Sequence, residues 1–335
     1  MTRVLITGGD GRVGRAVTKR FVEQGWDVRV IGILADAQIE GAEYVQCDIE
    51  DYPKLQQQVH GCHAIVHLAA IPSPTIVPRQ DMYRINTAGT FNVFEAADAE
   101  GVGRIVQASS INAIGCAWNL KELDAKYLPI DEDHPSVTSD PYSFSKKIVE
   151  EIGDYYWRRS GISSVALRLP AVYNEKHITS KSFLQDREQM QHLLNTFAQL
   201  PEDERKTRME NARKLVLEFR GQRRMEYPHK GQWEVQPEDW LANAYHGGRY
   251  NFWAYIDDRD AAQAAEKSLT ADYEGSHPLF VNNDQNWTGY SSQQLARMFF
   301  PDVPLKHDLQ GADTLVSIEK AKTLIGFKPE YSIPE

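Results

Sequence analysis

The sequence predicts an α/β fold: a doubly wound parallel sheet with a smaller, mainly helical C-terminal lobe. Three observations predict it. Short apolar runs alternate with amphipathic stretches along the first half of the chain, a glycine-rich loop joins the first run to the first amphipathic stretch, and the alternation ends near residue 175. Runs that are apolar at successive positions are typical of parallel strands buried on both faces. Right-handed crossovers through the intervening helices then favour a doubly wound sheet.

The first half of the chain predicts five strands and four helices. The strands are short runs rich in Val and Ile, at 3–7, 27–31, 64–69, 104–109 and 164–169. The helices are the amphipathic stretches between them, at 12–24, 51–60, 81–100 and 141–160. Beyond residue 175, apolar residues at helical spacing predict two more helices, one spanning Met190 to Phe197 and the other Met209 to Phe219.

The last third of the chain is less regular. Residues 221–250 are aromatic and basic without clear periodicity, and they predict loops. Residues 252–256 predict a strand and residues 257–269 a helix. Carboxylates are favourable at the positive end of the helix dipole, so we interpret three acidic residues here as capping residues. They are Asp257, Asp258 and Asp260.

Charge and cysteine content narrow the class of protein. The formal net charge of −10 argues against nucleic-acid binding, because phosphate contacts need a surplus of Lys and Arg. The three cysteines are too few and too scattered for a disulfide framework. No run approaches the roughly 18 apolar residues of a membrane span. We therefore expect a cytoplasmic protein that binds neither nucleic acid nor membrane.

Residues 7–14, "TGGDGRVG", follow the first strand directly and lead into the first helix. This context predicts a Rossmann-like dinucleotide site. Gly8 would permit the tight turn, Gly11 would let the backbone approach a pyrophosphate, and Gly14 would allow close packing of helix on strand. The helix N-terminus would present free N–H groups and the positive end of its dipole to the phosphates.

The end of the second strand departs from the usual dinucleotide pattern. Gly32 stands where an acidic residue would bind the adenosine ribose hydroxyls of NAD. Asp36, further along the chain, is the acidic residue that would take its place. Neither Ile33 nor Leu34 supplies the Arg that often binds NADP, although Arg12 in the glycine loop is within reach of a 2′-phosphate. The pattern leaves both NAD and NADP open and slightly favours NADP.

Residues 142–146, "YSFSK", form a second constellation on the predicted helix 141–160. Tyr142 and Lys146 are four residues apart, so their side chains share one helix face. A phenol has a pKa near 10, and lowering it by about three units corresponds to roughly 4 kcal/mol of phenolate stabilisation. The Lys146 ammonium and a nicotinamide cation together favour the phenolate. Ser109 and Ser110 end a strand at the carboxyl edge of the sheet, where a hydroxyl can hold a substrate oxygen.

These motifs, in this order, resemble the extended short-chain dehydrogenase/reductase family of NAD(P)-dependent sugar epimerases, dehydratases and reductases. The resemblance covers most of the chain, and its segments share the family's order and spacing. They are "TGGDGRVG", "CDI" (47–49), "HLAA" (67–70), "NTAGTFNVFEAA" (86–97), "ASSINAIG" (108–115), "YSFSK", "LRLPAVYN" (167–174), "YIDDRDAAQAA" (255–265) and "SIEKAKTLIGFKPEYS" (317–332). The resemblance also implies a homodimer, formed through the helices 81–100 and 141–160.

The resemblance implies roles for individual residues. Tyr142 would be the general acid and base, Lys146 would tune its pKa and bind the ribose, and Ser110 would hold the substrate oxygen, with Ser109 as the alternative. Asp48 and Ile49 would flank the adenine. The full set expected to contact the cofactor is Gly8, Gly11, Arg12, Val13, Gly14, Asp48, Ile49, Leu68, Ala69, Ala70, Asn86, Tyr142, Lys146, Pro170 and Val172.

The expected reaction is hydride transfer at a carbinol centre of a sugar, sugar acid or nucleotide-sugar. Whether it proceeds as epimerisation or as net oxidation or reduction stays open. Dehydration is disfavoured, because Ile111 and Asn112 stand where the dehydratases usually have an acidic pair. Candidate substrate contacts are Ser110, Asn112, Arg223 and Arg259. The alternative function is a catalytically silent NAD(P)-binding sensor or scaffold on the same fold.

These motifs suggest a division of the chain. Residues 1–174 would form the dinucleotide-binding domain, and residues 250–270 would return to it. Residues 175–249 and 271–335 would form the substrate-binding lobe. The "HGCH" stretch at 60–63, with His67 nearby, is interpreted as a surface turn, because no second cluster of ligands is visible; no metal site is expected.

Overall fold

Parallel strands form the centre of the protein. The computed structural model describes residues 2–229 and 239–334. Its strands are β1 (Arg3–Thr7), β2 (Asp27–Gly32), β3 (Glu43–Gln46), β4 (Ala64–His67), β5 (Arg104–Ser110), β6 (Ser163–Leu169), β7 (Ala171–Tyr173), β8 (Tyr255–Asp257) and β9 (Ser276–Phe280). Within the described residues, seven strands form one parallel sheet in the order β3, β2, β1, β4, β5, β6, β9. β7 and β8 pair separately, also in parallel.

Helices cover both faces of this sheet and build a lobe beside it. They are α1 (Arg12–Glu23), α2 (Tyr52–Val59), α3 (Arg79–Glu100), α4 (Pro141–Ser160), α5 (Glu175–Ile178), α6 (Lys181–Ala198), α7 (Glu202–Gly221), α8 (Trp240–Asn243), α9 (Asp258–Thr270), α10 (Ser292–Phe299) and α11 (Glu319–Ile325). The strand order reverses between β1 and β4. In open α/β sheets, ligands bind in the crevice at the carboxyl ends of the strands beside such a reversal.

The apolar runs of the strands are continuous because both faces of the sheet are buried. Val4 and Ile6 pack under α1 and α9, whereas Leu5 between them packs under α2, α3 and α4. All three side chains are 0% exposed. This sandwich of helix, sheet and helix leaves the carboxyl edge of the strands as the place for a candidate site.

The helical lobe has its own apolar core. Leu194 of α6, Val216 of α7 and Phe299 of α10 pack in one cluster with Trp253. The segment from Ile111 to Ile130, which follows β5, contributes to the same cluster. No helix within residues 2–229 and 239–334 is long and apolar enough to cross a bilayer.

The α/β architecture and the five predicted strands are confirmed, with ends that differ by at most two residues. The helices predicted at 12–24, 51–60, 81–100 and 141–160 are also present. Two strands of the sheet were not predicted. β3 is a four-residue edge strand without a fully buried side chain, and β9 contains Pro278, which suits an edge strand only.

Four expectations need correction. Residues 221–250 are not all loop, because α8 (Trp240–Asn243) lies among them. The strand predicted at 252–256 begins only at Tyr255, because Phe252 and Trp253 have left-handed backbones with φ of 54° and 51°. β9 lies within 271–335, which was assigned to the lobe, but it pairs with β6 in the main sheet. Asp260 does not cap α9; its carboxylate accepts the backbone N–H groups of Glu330 and Tyr331 and so fixes the C-terminal segment. Residues 230–238 of the predicted lobe lie outside the described part of the chain.

Candidate functional site

A cavity of about 700 Å³ lies at the carboxyl ends of β1, β2, β4, β5 and β6. The predicted cofactor residues line it from the glycine loop to Pro170 and Val172, with the exception of Asn86. Asn86 is buried and holds the segment after β4: its Oδ1 accepts the N–H of Ile71 at 2.7 Å, and its Nδ2 donates to the Ile71 carbonyl at 3.1 Å. Asn86 therefore shapes the cavity wall from behind and does not line it.

The glycine loop forms the floor of the cavity. Gly8 has a φ of +67°, and a Cβ there would lie 2.8 Å from the backbone of Ala69. A Cβ on Gly14 would lie 2.2 Å from the Gly8 carbonyl oxygen, so α1 approaches the loop closely only with glycine there. Gly11 is the N-cap of α1 and offers no side-chain cap, and the first turn contains no acidic residue. This helix end fits a phosphate, and the whole cradle fits a dinucleotide.

Tyr142, Lys146 and Ser110 line the same cavity at its inner end. Asp140 caps α4 by accepting the N–H of Ser143 at 2.9 Å, and this cap fixes the first turn that bears Tyr142. The Lys146 Nζ donates to the Ala108 carbonyl at 2.8 Å and lies 5.9 Å from the centroid of the Tyr142 ring. Lys146 has three N–H donors, so two remain for a ribose or a substrate.

Burial dominates the acidity of both side chains in the protein alone. It raises the pKa of Tyr142 to about 12, while a hydrogen bond with Ser110 opposes the shift by favouring the phenolate. Burial lowers the pKa of Lys146 to about 8, and the Glu150 carboxylate opposes that shift. The expected lowering of the phenol's pKa by Lys146 is therefore not produced by these two side chains alone.

Ser109 and Ser110 are adjacent but point to different surroundings. The Ser109 hydroxyl donates to Glu150 at 2.7 Å, and Glu150 forms a buried, bidentate ion pair with Arg168. The Ser110 hydroxyl is bonded by Asn112, whose backbone N–H and Nδ2 donate to it at 3.2 and 3.0 Å. The hydroxyl of Ser110 is thus the one directed at Tyr142.

The sequence predicts Asn112 as a substrate contact, but its side chain bonds other residues of the protein. Its side chain is buried, with Nδ2 on Ser110 and Oδ1 accepting the N–H of Trp118 at 3.0 Å. It positions Ser110, and its role as a substrate contact stays a prediction. The sequence signal that was missed is its place two residues after Ser110, a spacing that suits a local side-chain turn.

The two arginines predicted as substrate contacts lie outside the cavity. Arg223 pairs with the buried Glu226 at 2.6 Å. Arg259 makes two hydrogen bonds to Asp257, at 2.8 and 3.0 Å, and its guanidinium lies 3.7 Å from the centre of the Tyr331 ring. Both are held by internal partners, so neither joins Tyr142.

Arg12 lines the cavity but does not face β2. Its NH1 donates to the Val172 carbonyl at 3.2 Å. Val172 follows β6, on the opposite side of β1 from β2. The expected contact of Arg12 with a 2′-phosphate stays a prediction. Asp36 is exposed and does not line the cavity, so it is no substitute for the missing acid.

His67 has a structural role. Its ring nitrogens bond the hydroxyls of Thr7 at 2.7 Å and Thr90 at 2.9 Å, and burial lowers its pKa to about 3. Thr7 in turn accepts the N–H groups of Leu68 and Ala69. This network ties β4 to β1 under the cavity. Within residues 2–229 and 239–334, no group of three or more His, Cys, Asp or Glu side chains is arranged for a metal ion.

A second cavity, of about 960 Å³, lies in the helical lobe between α7 and α10 and shares no residue with the first. Its charged groups largely satisfy one another. Glu122, for example, pairs with Arg213 at 2.7 Å and Arg249 at 2.8 Å. The predicted site residues all belong elsewhere, so we place the functional site in the cavity of the parallel sheet.

Comparison with known proteins agrees with this architecture. Residues 4–209 match the model of the NAD dependent epimerase/dehydratase family. L-arabinose 1-dehydrogenase (NAD(P)(+)) of Haloferax volcanii is 33% identical over 175 residues, which are 50% of this chain and 66% of that protein. Uronate dehydrogenase of Pseudomonas putida is 29% identical over 169 residues, 50% of this chain and 60% of that protein. The match thus spans about 60 to 66% of these relatives' length.

Solved structures share the fold over nearly the whole chain. UDP-glucose 4-epimerase of Thermotoga maritima aligns with a TM-score of 0.62 and 17% identity, covering 99% of this chain and 94% of that one. A short-chain dehydrogenase/reductase superfamily protein of Agrobacterium tumefaciens with bound NAD aligns with a TM-score of 0.63 and 22% identity, covering 99% and 93%.

Proposed function

Because the chain belongs to the NAD-dependent epimerase/dehydratase family, we propose that it oxidises or reduces a carbinol centre of a sugar, sugar acid or nucleotide-sugar. One observation supports this above all: Tyr142, Lys146 and Ser110 line the same cavity as the glycine loop. The similar proteins include enzymes named as sugar and uronate dehydrogenases and as a UDP-glucose 4-epimerase, which supports a sugar-like substrate.

The glycine loop and Lys146 would hold the dinucleotide, and its nicotinamide ring would supply the acceptor or donor of hydride. In the oxidative direction, Tyr142 as a phenolate would take the proton of the substrate hydroxyl. In the reductive direction, Tyr142 returns the proton to the carbonyl oxygen. Ser110, fixed by Asn112, holds that oxygen beside the phenol. The buried phenol stays protonated in the free protein and becomes a base only beside bound positive charge.

The test is the Tyr142→Phe variant, which removes one oxygen and keeps the ring. Removing a general acid and base costs about 10² to 10⁴ in rate, so turnover of any accepted sugar should fall by that factor. Affinity for the cofactor should change by less than about threefold, because the ribose donors of Lys146 remain. Tyr155→Phe on the same helix is the matched control and should leave turnover unchanged. Unchanged turnover in Tyr142→Phe removes the phenol from the mechanism.

Epimerisation and net dehydrogenation share this core, and one experiment separates them. The protein is incubated with sugars, sugar acids and UDP-sugars together with added NAD⁺ or NADP⁺, and the absorbance of the reduced ring is followed. A dehydrogenase produces reduced cofactor in proportion to substrate, whereas an epimerase produces a stereoisomer without net reduction. A silent sensor would bind cofactor and give neither product.

We also infer a homodimer formed through α3 and α4. These helices pack together on one face of the sheet and expose large apolar side chains. Phe91 of α3 and Phe144 and Tyr155 of α4 are 41%, 46% and 40% exposed. Such neighbouring aromatic residues on a surface favour association with a second protein face.

A further inference from the structure

The side chain of Asp10, inside the glycine loop, is left without a partner. It is half-buried and lines the cavity. Its backbone carbonyl accepts the Arg15 Nε–H at 3.0 Å. Within the described residues, its carboxylate makes no hydrogen bond or ion pair. A carboxylate that lines a cavity without a protein partner is free to accept hydrogen bonds from a ligand, so its surroundings show what it would bind.

The carboxylate lies at the end of β2. A Cβ built on Gly32 would lie 2.7 Å from the Asp10 Oδ1 and 3.0 Å from the Tyr44 hydroxyl oxygen. The Asp10 carboxylate therefore occupies the space into which a side chain at position 32 would extend. In dinucleotide folds, an acidic residue at this position accepts hydrogen bonds from the adenosine ribose hydroxyls of NAD. The glycine loop supplies here the acid that the second strand lacks.

We propose that Asp10 binds the adenosine ribose hydroxyls and makes the protein selective for NAD over NADP. This proposal rests on the dinucleotide site of the proposed function and deepens it. It reverses the slight preference for NADP that the sequence suggested. The physical reason is charge: a carboxylate accepts hydrogen bonds from two hydroxyls, whereas it repels the phosphate that replaces one of them in NADP.

Arg12 and Arg15, the arginines that follow Asp10 in the chain, both bond backbone carbonyls. Arg12 reaches to the Val172 carbonyl, on the far side of β1. Arg15 is exposed, contacts the backbone of Asp10 and does not line the cavity. Ile33 and Leu34, the residues after β2, are apolar and 70% and 51% exposed. The Asp10 carboxylate is the charged group that the structure places beside Gly32.

Direct titration calorimetry with NAD⁺ and NADP⁺ tests the proposal without any substrate. The natural protein should bind NAD⁺ at least about tenfold more tightly than NADP⁺, since hydrogen bonds to a charged group are stronger than those between neutral groups. Asp10→Ser should weaken NAD⁺ binding and strengthen NADP⁺ binding, so that the ratio of the two dissociation constants changes by about tenfold or more. Asp36→Ser removes the same charge from the exposed loop after β2 and should leave the ratio unchanged.

A relocation variant provides the second arm. Asp10→Ser combined with Gly32→Asp vacates the loop position and places the carboxylate on β2, and it should restore the preference for NAD⁺. Two results overturn the proposal. One is a natural protein that prefers NADP⁺, which would indicate that Arg15 binds the 2′-phosphate. The other is an Asp10→Ser variant in which the ratio of the two dissociation constants is unchanged. If NAD⁺ binding depends on Asp10 but the protein turns over no sugar, this proposal is supported and the proposed function is refuted.

Discussion

At the scale of single residues, hydrogen bonds from neighbouring side chains fix the orientation of the serines at the site. Ser110 is directed at Tyr142 because Asn112 donates to its hydroxyl twice, while Ser109 is fixed by the Glu150–Arg168 ion pair. Both serines line the cavity at the end of β5, and their different hydrogen-bond partners distinguish them.

Gly14→Ala should destabilise the protein and impair cofactor binding. The added Cβ would lie 2.2 Å from the Gly8 carbonyl oxygen, so α1 or the loop must shift. Overpacking of this kind costs about 1 to 3 kcal/mol. Gly221→Ala is the control, because a Cβ there meets nothing within 4 Å. Thermal unfolding of the two variants measures the difference, and equal melting temperatures would contradict the close packing at Gly14.

The pKa of Lys146 predicts a stability that depends on pH. Burial lowers this pKa from 10.5 to about 8. Between these values the unfolded chain holds a proton that the folded protein has released, so the free energy of unfolding rises with pH. The gain relative to Lys146→Met, measured by urea unfolding of the cofactor-free protein, should reach up to roughly 3 kcal/mol between pH 7 and 10.5. A constant difference across this range would show that Lys146 titrates at its ordinary value.

At the scale of elements, the start of α4 links stability to catalysis. Asp140 caps the helix on the N–H of Ser143, and Tyr142 lies in the same turn. We expect Asp140→Ala to be about 1 kcal/mol less stable than Asp140→Ser, which retains a capping oxygen. Turnover should fall further in the alanine variant as well, because the phenol loses its fixed position. If the two variants unfold at the same urea concentration, the cap does not fix this turn.

Element prediction succeeded where the local pattern was strong. The strand Arg3–Thr7 and the helix Pro141–Ser160 are fixed by apolar runs, a proline at the helix start and a glycine at its end. It failed at β3 and β9, whose side chains are mixed because each strand lies at an edge of the sheet. An edge strand is specified by the neighbour it pairs with, and that neighbour is distant in sequence.

At the scale of the whole molecule, α3 and α4 present an aromatic surface that predicts a dimer. Phe91 stacks on Tyr155, with ring centroids 6.4 Å apart, and both are exposed. Phe91→Glu should convert the proposed dimer to a monomer in sedimentation velocity, because a charge in the interface must be desolvated. Leu215→Glu on α7, where the side chain is 44% exposed, should leave the mass unchanged. A monomeric natural protein would refute the interface.

The sequence by itself determined the α/β fold, the glycine loop and the spacing of Tyr142 and Lys146, because helical and strand periods and glycine turns are encoded within a few residues. Only the tertiary structure decided that Ser110 faces the phenol, that Arg223 and Arg259 are held by internal partners, and that Asp10 fills the space beside Gly32. These outcomes depend on contacts between residues distant in the chain. Such contacts arise only when the sheet, its helices and the lobe pack together.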